Sequence, residues 1–166
     1  MSLSQADLRA KLVAAGLNAT LWQFPDDDFE ECSFGFVMAN WTAWLAARPK
    51  ELVITVDMGG KPVLLPKWVP NAGDCDNLAF GTVCWADTGN ALKAVLSGQA
   101  RGGLAYGAMF YQAGPARPDN FGIAGAHAIC WFVDFDGAVR YFEPGMGCEV
   151  FPSQIERASA YFGFAL

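Results

Sequence analysis

One histidine, His127, and five cysteines, at positions 32, 75, 84, 130 and 148, are the side chains through which this sequence can do nucleophilic chemistry. A thiol reacts as its thiolate, so the useful question is which cysteine has positive potential beside it. Cys75 follows Pro70-Asn71-Ala72-Gly73-Asp74, where a loop turns into a helix. The dipole and free N–H groups of a helix start favour an anion there and can bind an oxyanion. Asp74 and Asp76 oppose a thiolate, so an imidazolium at His127 has to outweigh them. Cys32 lies behind Asp26, Asp27, Asp28, Glu30 and Glu31, and Cys84 falls within the helix. Cys130, three residues from His127, points to the opposite face of the strand, and Cys148 follows Gly147 in a turn with no helix end to support it. The cysteines are widely and irregularly spaced with no C-x-x-C pair, which argues against a structural zinc site. Cys75 is thus the candidate nucleophile and His127 its base. A partly buried, satisfied sheet histidine is the other reading of His127; Gly122 and Gly125 before it leave room for a ligand and tilt toward function.

A nucleophile–base pair usually has a third group that orients the base. Glu143 ends a strand that the Asp136-Gly137 turn folds back onto the His127 strand, within a residue or two of His127 if the register is tight. A solvated strand end is its alternative reading.

The elements needed to hold these residues are legible in outline. Ser4 with Asp7 caps a helix over 5–15 that stops at Gly16. The acids at 26–31 charge the start of a second helix, in which Phe34, Val37, Met38, Trp41, Trp44 and Leu45 form one apolar core stripe. Segments 51–57 and 62–65 make a hairpin across Gly59-Gly60. A third helix spans 75–96, weakened or bent at Gly81 and Gly89. Strands follow at 104–111, 126–135, 138–142 and 149–151, then a short helix after Pro152-Ser153 and a sheet edge at 161–166. Helices first and strands later predict one α+β domain over 1–166, with N-terminal helices packed on a mostly antiparallel C-terminal sheet.

A composition of 53% hydrophobic and 17% charged residues excludes disorder, and no apolar run approaches the ~20 residues of a membrane span. The first residues lack the pattern of a secretory signal, so a cytoplasmic, thiol-reducing setting is expected. A net charge of −6 disfavours nucleic acid and anionic membranes as partners.

In order along the chain, Trp68, the run Asp74-Cys75-Asp76-Asn77-Leu78-Ala79-Phe80, Gly125-Ala126-His127 and Phe142-Glu143-Pro144 resemble a known family. It is the papain-like cysteine protease domain of the Marasmius-type mushroom agglutinin and its stand-alone relatives in bacteria and phages. The likeness covers roughly positions 64–151. It implies a papain-like fold and a thiol-dependent hydrolase that cuts a peptide or isopeptide bond of a protein substrate through a thioester acyl-enzyme. It also implies Cys75 as nucleophile, His127 as general base, Glu143 as third member and the Trp68 indole N–H beside the oxyanion site; a core tryptophan is the other reading of Trp68. No cofactor is required by the residues themselves. Calcium is implied by the family alone, with Asp26, Asp27, Asp28, Asp134 and Asp136 as available oxygen ligands but no EF-hand spacing. The sequence departs from its relatives after Pro144, where Gly145 replaces a glutamine. That departure, the acids around Cys75 and the aromatics Trp22, Phe24, Trp85 and Trp131 support the alternative: a non-catalytic phage or bacterial accessory protein that binds a partner.

Overall fold

Short hydroxyl side chains start three of the helices. Ser4 accepts the Asp7 N–H at the head of α1 (Gln5–Ala14), and Ser33 accepts that of Phe36 at α2 (Phe34–Ala47). Ser153 and Glu156 form a reciprocal capping box on α4 (Gln154–Ala158). The long helix α3 (Cys75–Ser97) ends at Gly98, whose φ of +66° is the left-handed stop that glycine takes without strain. Gly81 does not break α3: it lies against the Trp44 indole of α2, where a Cβ would sit 3.2 Å from the ring. The computed structural model describes residues 2–70, 73–115 and 122–166, so Asn71 and Ala72 of the loop before Cys75 lie outside the described residues.

The strands are β1 (Ser2–Ser4), β2 (Leu21–Gln23), β3 (Asp28–Glu30), β4 (Val53–Asp57), β5 (Pro62–Pro66), β6 (Gly103–Leu104), β7 (Tyr106–Ala113), β8 (Gly125–Val133), β9 (Val139–Glu143), β10 (Cys148–Val150) and β11 (Phe162–Ala165). The main sheet runs β10-β9-β8-β7-β11-β2; β1-β3-β6 form a small sheet and β4-β5 a separate hairpin. Alternation along β7 and β8 divides the core in two. Ala108, Ala128, Cys130 and Phe132 face one cluster, with Val37, Trp41 and Trp44 of α2 and Leu78, Ala79 and Val83 of α3. Met109, Ile129, Trp131 and Val133 face the other, with Leu8 and Leu12 of α1 and Phe29 of β3.

This arrangement corrects the expected α+β, papain-like layering, in which N-terminal helices cover a C-terminal sheet. Helices and strands are mixed along the chain in three sheets, and the main sheet is covered on both faces. It also recruits residues from the N-terminal third, because β2 pairs in parallel with β11. Segment 161–166 is therefore interior to the sheet, with β11 between β7 and β2. Glycines make that packing possible: a Cβ on Gly107 would lie 1.9 Å from the Phe164 carbonyl, and one on Gly163 would lie 2.1 Å from the Trp22 ring. The acidic stretch expected to open the second helix instead holds β3, with Phe29 fully buried, and the helix waits for the Ser33 cap. Three-residue strands such as β2 and β3 are too short to display a period of two, and distant partners decide them.

Candidate functional site

The Asp136-Gly137 turn brings β8 and β9 together: the Asp136 carboxylate accepts the Ala138 N–H at 2.9 Å, and Gly137 takes a φ of +79°. The register pairs Cys130 with Phe142 and Trp131 with Tyr141. Continued by one residue, it sets Glu143 across from Ile129, two residues from His127 and so on the same face. That diagonal closes, with His127 Nε2 and Glu143 Oε2 2.6 Å apart and both side chains buried. The other oxygen, Glu143 Oε1, accepts the Gly145 N–H at 2.9 Å.

Glu143 is also braced from behind. Trp41 of α2 donates its indole N–H to the Pro144 carbonyl at 2.9 Å. Its ring fills the space beside Gly147, where φ is +64° and a Cβ would come within 2.4 Å. The aromatic stripe of α2, read from the sequence as core alone, thus also fixes the turn that holds Glu143. Gly145 is equally tight, since a Cβ there would lie 2.9 Å from Glu143 Oε1. On the other side of His127, its cross-strand partner Tyr111 meets the imidazole edge-on, with ring centroids 5.8 Å apart.

Cys75 is the first residue of α3 and is half-buried. Burial alone would lower the His127 pKa, but hydrogen bonds to Cys75 and Glu143, with the charges of both, raise it to about 9. Nε2 is committed to Glu143, which leaves Nδ1 for Cys75. His127 therefore carries its proton at neutral pH. The two acids flanking Cys75 oppose one another: a hydrogen bond that the Asp76 carboxyl donates to Asp74, then burial and the Asp74 charge, raise the Asp76 pKa above the usual carboxylate value.

These groups sit in a cleft of about 780 Å³. Ile54, Val56 and Leu65 of the β4–β5 hairpin and Ile123, Ala126 and Met146 give it an apolar lining. Asp74, Cys75, His127 and Glu143 supply the polar groups, and Trp68 lies on the rim, 54% exposed rather than in the core. All four residues singled out in the sequence thus line one cleft. Sequence reasoning missed its apolar walls. The alternation of 51–57 was visible, but nothing local said that the hairpin would face His127. Cys32 and Cys130 are buried, with thiols pushed up to about 12 chiefly by desolvation, and Cys148 rises to about 11 for the same reason. Among the described residues no three His, Cys, Asp or Glu side chains are placed to hold a metal ion, and Asp134 and Asp136 are paired with Arg140. Among the described residues no helix is long and apolar enough to cross a membrane.

No family model matches the chain, and no curated protein matches it. Solved structures do. One is described as the PSL1a-E64 complex, with a TM-score of 0.64 and 24% identity over 98% of this chain and 50% of that chain. Another is Polyporus squamosus lectin bound to the human-type influenza-binding epitope Neu5Aca2-6Galb1-4GlcNAc, with a TM-score of 0.62 and 22% identity over 98% of this chain and 49% of that one. The chain spans about half the length of these structures, and at this identity the likeness shows a shared fold. The finding corrects the family expectation, because the structures that share the fold are lectins rather than the papain-like protease domain of a Marasmius-type agglutinin. The assignment as a cysteine protease, a thiol-dependent hydrolase with a thioester intermediate, falls with it.

Proposed function

We propose that this chain is a binding protein and that its ligand occupies the cleft beneath Trp68. The observation that carries this reading is the cleft itself: apolar walls around a few convergent polar groups, the usual composition of a small-ligand site. The likeness to lectin structures supports a glycan as the ligand. Trp68 offers an exposed indole face at the rim, and Asp74 a carboxylate beside it. The five unbridged cysteines support a reducing, cytosol-like compartment.

Titration calorimetry with sialylated and neutral oligosaccharides tests the reading. Binding is expected, and Trp68→Ala is expected to weaken it by about tenfold or more through the lost ring contact. Glycan binding indifferent to Trp68→Ala places the site elsewhere, and no binding across the panel removes the glycan. A second reading rests on a separate observation, the chain of contacts from Cys75 through His127 to Glu143. In it Cys75 is a nucleophile toward an electrophilic ligand, His127 holds the proton and Glu143 orients the imidazole.

A further inference from the structure

Thr82 of α3 is wholly buried, among Leu78, Ala79, Val83 and Ala86 of its own helix. Packing alone would favour valine there, a residue of the same shape with no polar atom to bury. The Thr82 hydroxyl turns back on its own helix, to the Ala79 carbonyl at 3.0 Å and the Leu78 carbonyl at 3.2 Å. It also meets the Cys130 thiol of β8 at 3.3 Å. The one hydroxyl proton goes to the helix carbonyls, so the Cys130 S–H is the donor of that bond. Burial keeps this thiol protonated, pushed up to about 12, and the buried Tyr106 phenol beside it also keeps its proton.

The bond joins the two elements that carry Cys75 and His127. Thr82 follows Cys75 by two turns of α3, about 10 Å at 1.5 Å per residue, and so lies on the same face. Cys130 follows His127 along β8 by about 10 Å at 3.3 Å per residue. With matching lengths, the Thr82–Cys130 bond and the Cys75–His127 contact stand at the two ends of one stretch of α3 against β8. Leu78, Ala79 and Ala128 pack along that stretch. Such apolar contacts hold the helix down but are non-directional, and two alanines give little relief against sliding. A hydrogen bond is directional and does set an axial position. The second core helix locks the same point: Asn40 of α2 donates its amide to the Thr82 carbonyl at 3.3 Å, beside the Gly81–Trp44 contact.

We propose that Thr82 is a positioning residue for Cys75: its hydroxyl, engaged by Cys130, fixes how far α3 stands along β8 and so how close the Cys75 thiol comes to His127. The inference rests on the reading in which Cys75 and His127 act as a pair. Two turns of helix are stiff along their axis, so a shift at Thr82 is carried to Cys75. Loss of the hydroxyl orphans no buried group. The thiol still has the Ala79 carbonyl at 3.7 Å, and the Leu78 and Ala79 carbonyls keep their helix bonds. The position of α3 can therefore change at little cost in stability.

Timed iodoacetamide labelling of Cys75 across a pH series, read by mass spectrometry on the full chain, tests this alongside urea unfolding of each variant. Thr82→Val keeps the shape and drops the hydroxyl. It is expected to slow Cys75 at neutral pH by about fivefold or more and to move its pH profile upward, since a misplacement of about 1 Å can cost a reacting pair about a hundredfold. Thr82→Ser keeps the hydroxyl and loses a buried methyl, and is expected to lose stability yet label as the native chain does. Cys130→Ala is expected to reproduce the Thr82→Val profile, and the double variant to be no slower than either alone. With His127→Ala slowing Cys75, three results overturn the positioning role and leave the pair standing: native labelling in Thr82→Val, native labelling in Cys130→Ala, or Thr82→Ser as slow as Thr82→Val. If His127→Ala leaves Cys75 unchanged, the pair is not assembled and the positioning role falls with it.

Discussion

Iodoacetamide is expected to label Cys75 first among the five cysteines of the native chain near pH 7, and His127→Ala to remove that lead. Desolvation holds Cys32 and Cys130 at about 12, some three pH units above an ordinary buried-free thiol, which leaves about a thousandfold less thiolate. Cys148 is held at about 11, and burial, then the charge of Asp87, raises Cys84. Cys75 alone stands at a helix start, on an open cleft, beside an imidazole that keeps its proton to about pH 9. Cys75 is expected to label far faster than the two buried thiols, and His127→Ala to cost Cys75 about tenfold or more. Mass spectrometry of peptides after timed labelling reads all five sites at once. If Cys148 or Cys84 labels as fast as Cys75, or His127→Ala leaves Cys75 unchanged, the cysteine is a wall of the cleft and the reactive-thiol reading is lost. Labelling can succeed whether or not a glycan binds, so it separates the two readings of the site.

The parts of this site that local chemistry dictates were legible in the sequence. Asp136-Gly137 announces a tight turn, and a tight turn fixes the register that lays Glu143 diagonally across from His127. The helix start at Cys75 was visible in the same way. What escaped was everything set by partners far along the chain. Segments 21–23 and 28–30 take their strand identity from β11, β1 and β6, and no pattern three residues long can say so. Leu65 and Ile54 become part of the cleft lining only once the hairpin packs beside it, and Trp41 reads as an ordinary core residue until its indole meets Pro144. Gly145, read as the loss of a side chain, proves to be a position where the backbone N–H holds Glu143 and a side chain would crowd it. The family expectation failed for another reason. It rested on residues that make a site, whereas fold likeness is carried by the whole chain, and sites recur on unrelated scaffolds.

Glu143→Gln is expected to destabilise the protein near pH 6, by about 1 to 3 kcal/mol because Cys75 shares in the His127 shift, and hardly at all above pH 9. His127 and Glu143 are both buried, so the amide variant keeps the shape but removes the charge opposite the imidazolium. Burial is the largest influence on His127 and opposes its charged form; without Glu143 only Cys75 is left to resist it. The sign follows from where the proton binds more tightly. The folded state holds it to about 9 against an ordinary value of 6.5, so the stabilisation is complete below 6.5 and is lost as pH rises through about 9. At about 1.4 kcal/mol per unit, a shift of that size corresponds to about 3 kcal/mol, within the range for breaking a buried ion pair. Urea unfolding at pH 6, 7.5 and 9.5 should show the native chain weakening across this window and Glu143→Gln staying nearly flat. Groups common to both proteins cancel in the comparison. Parallel curves for the two would mean that His127 sits neutral beside Glu143, and Cys75 would then have no cation to favour its thiolate.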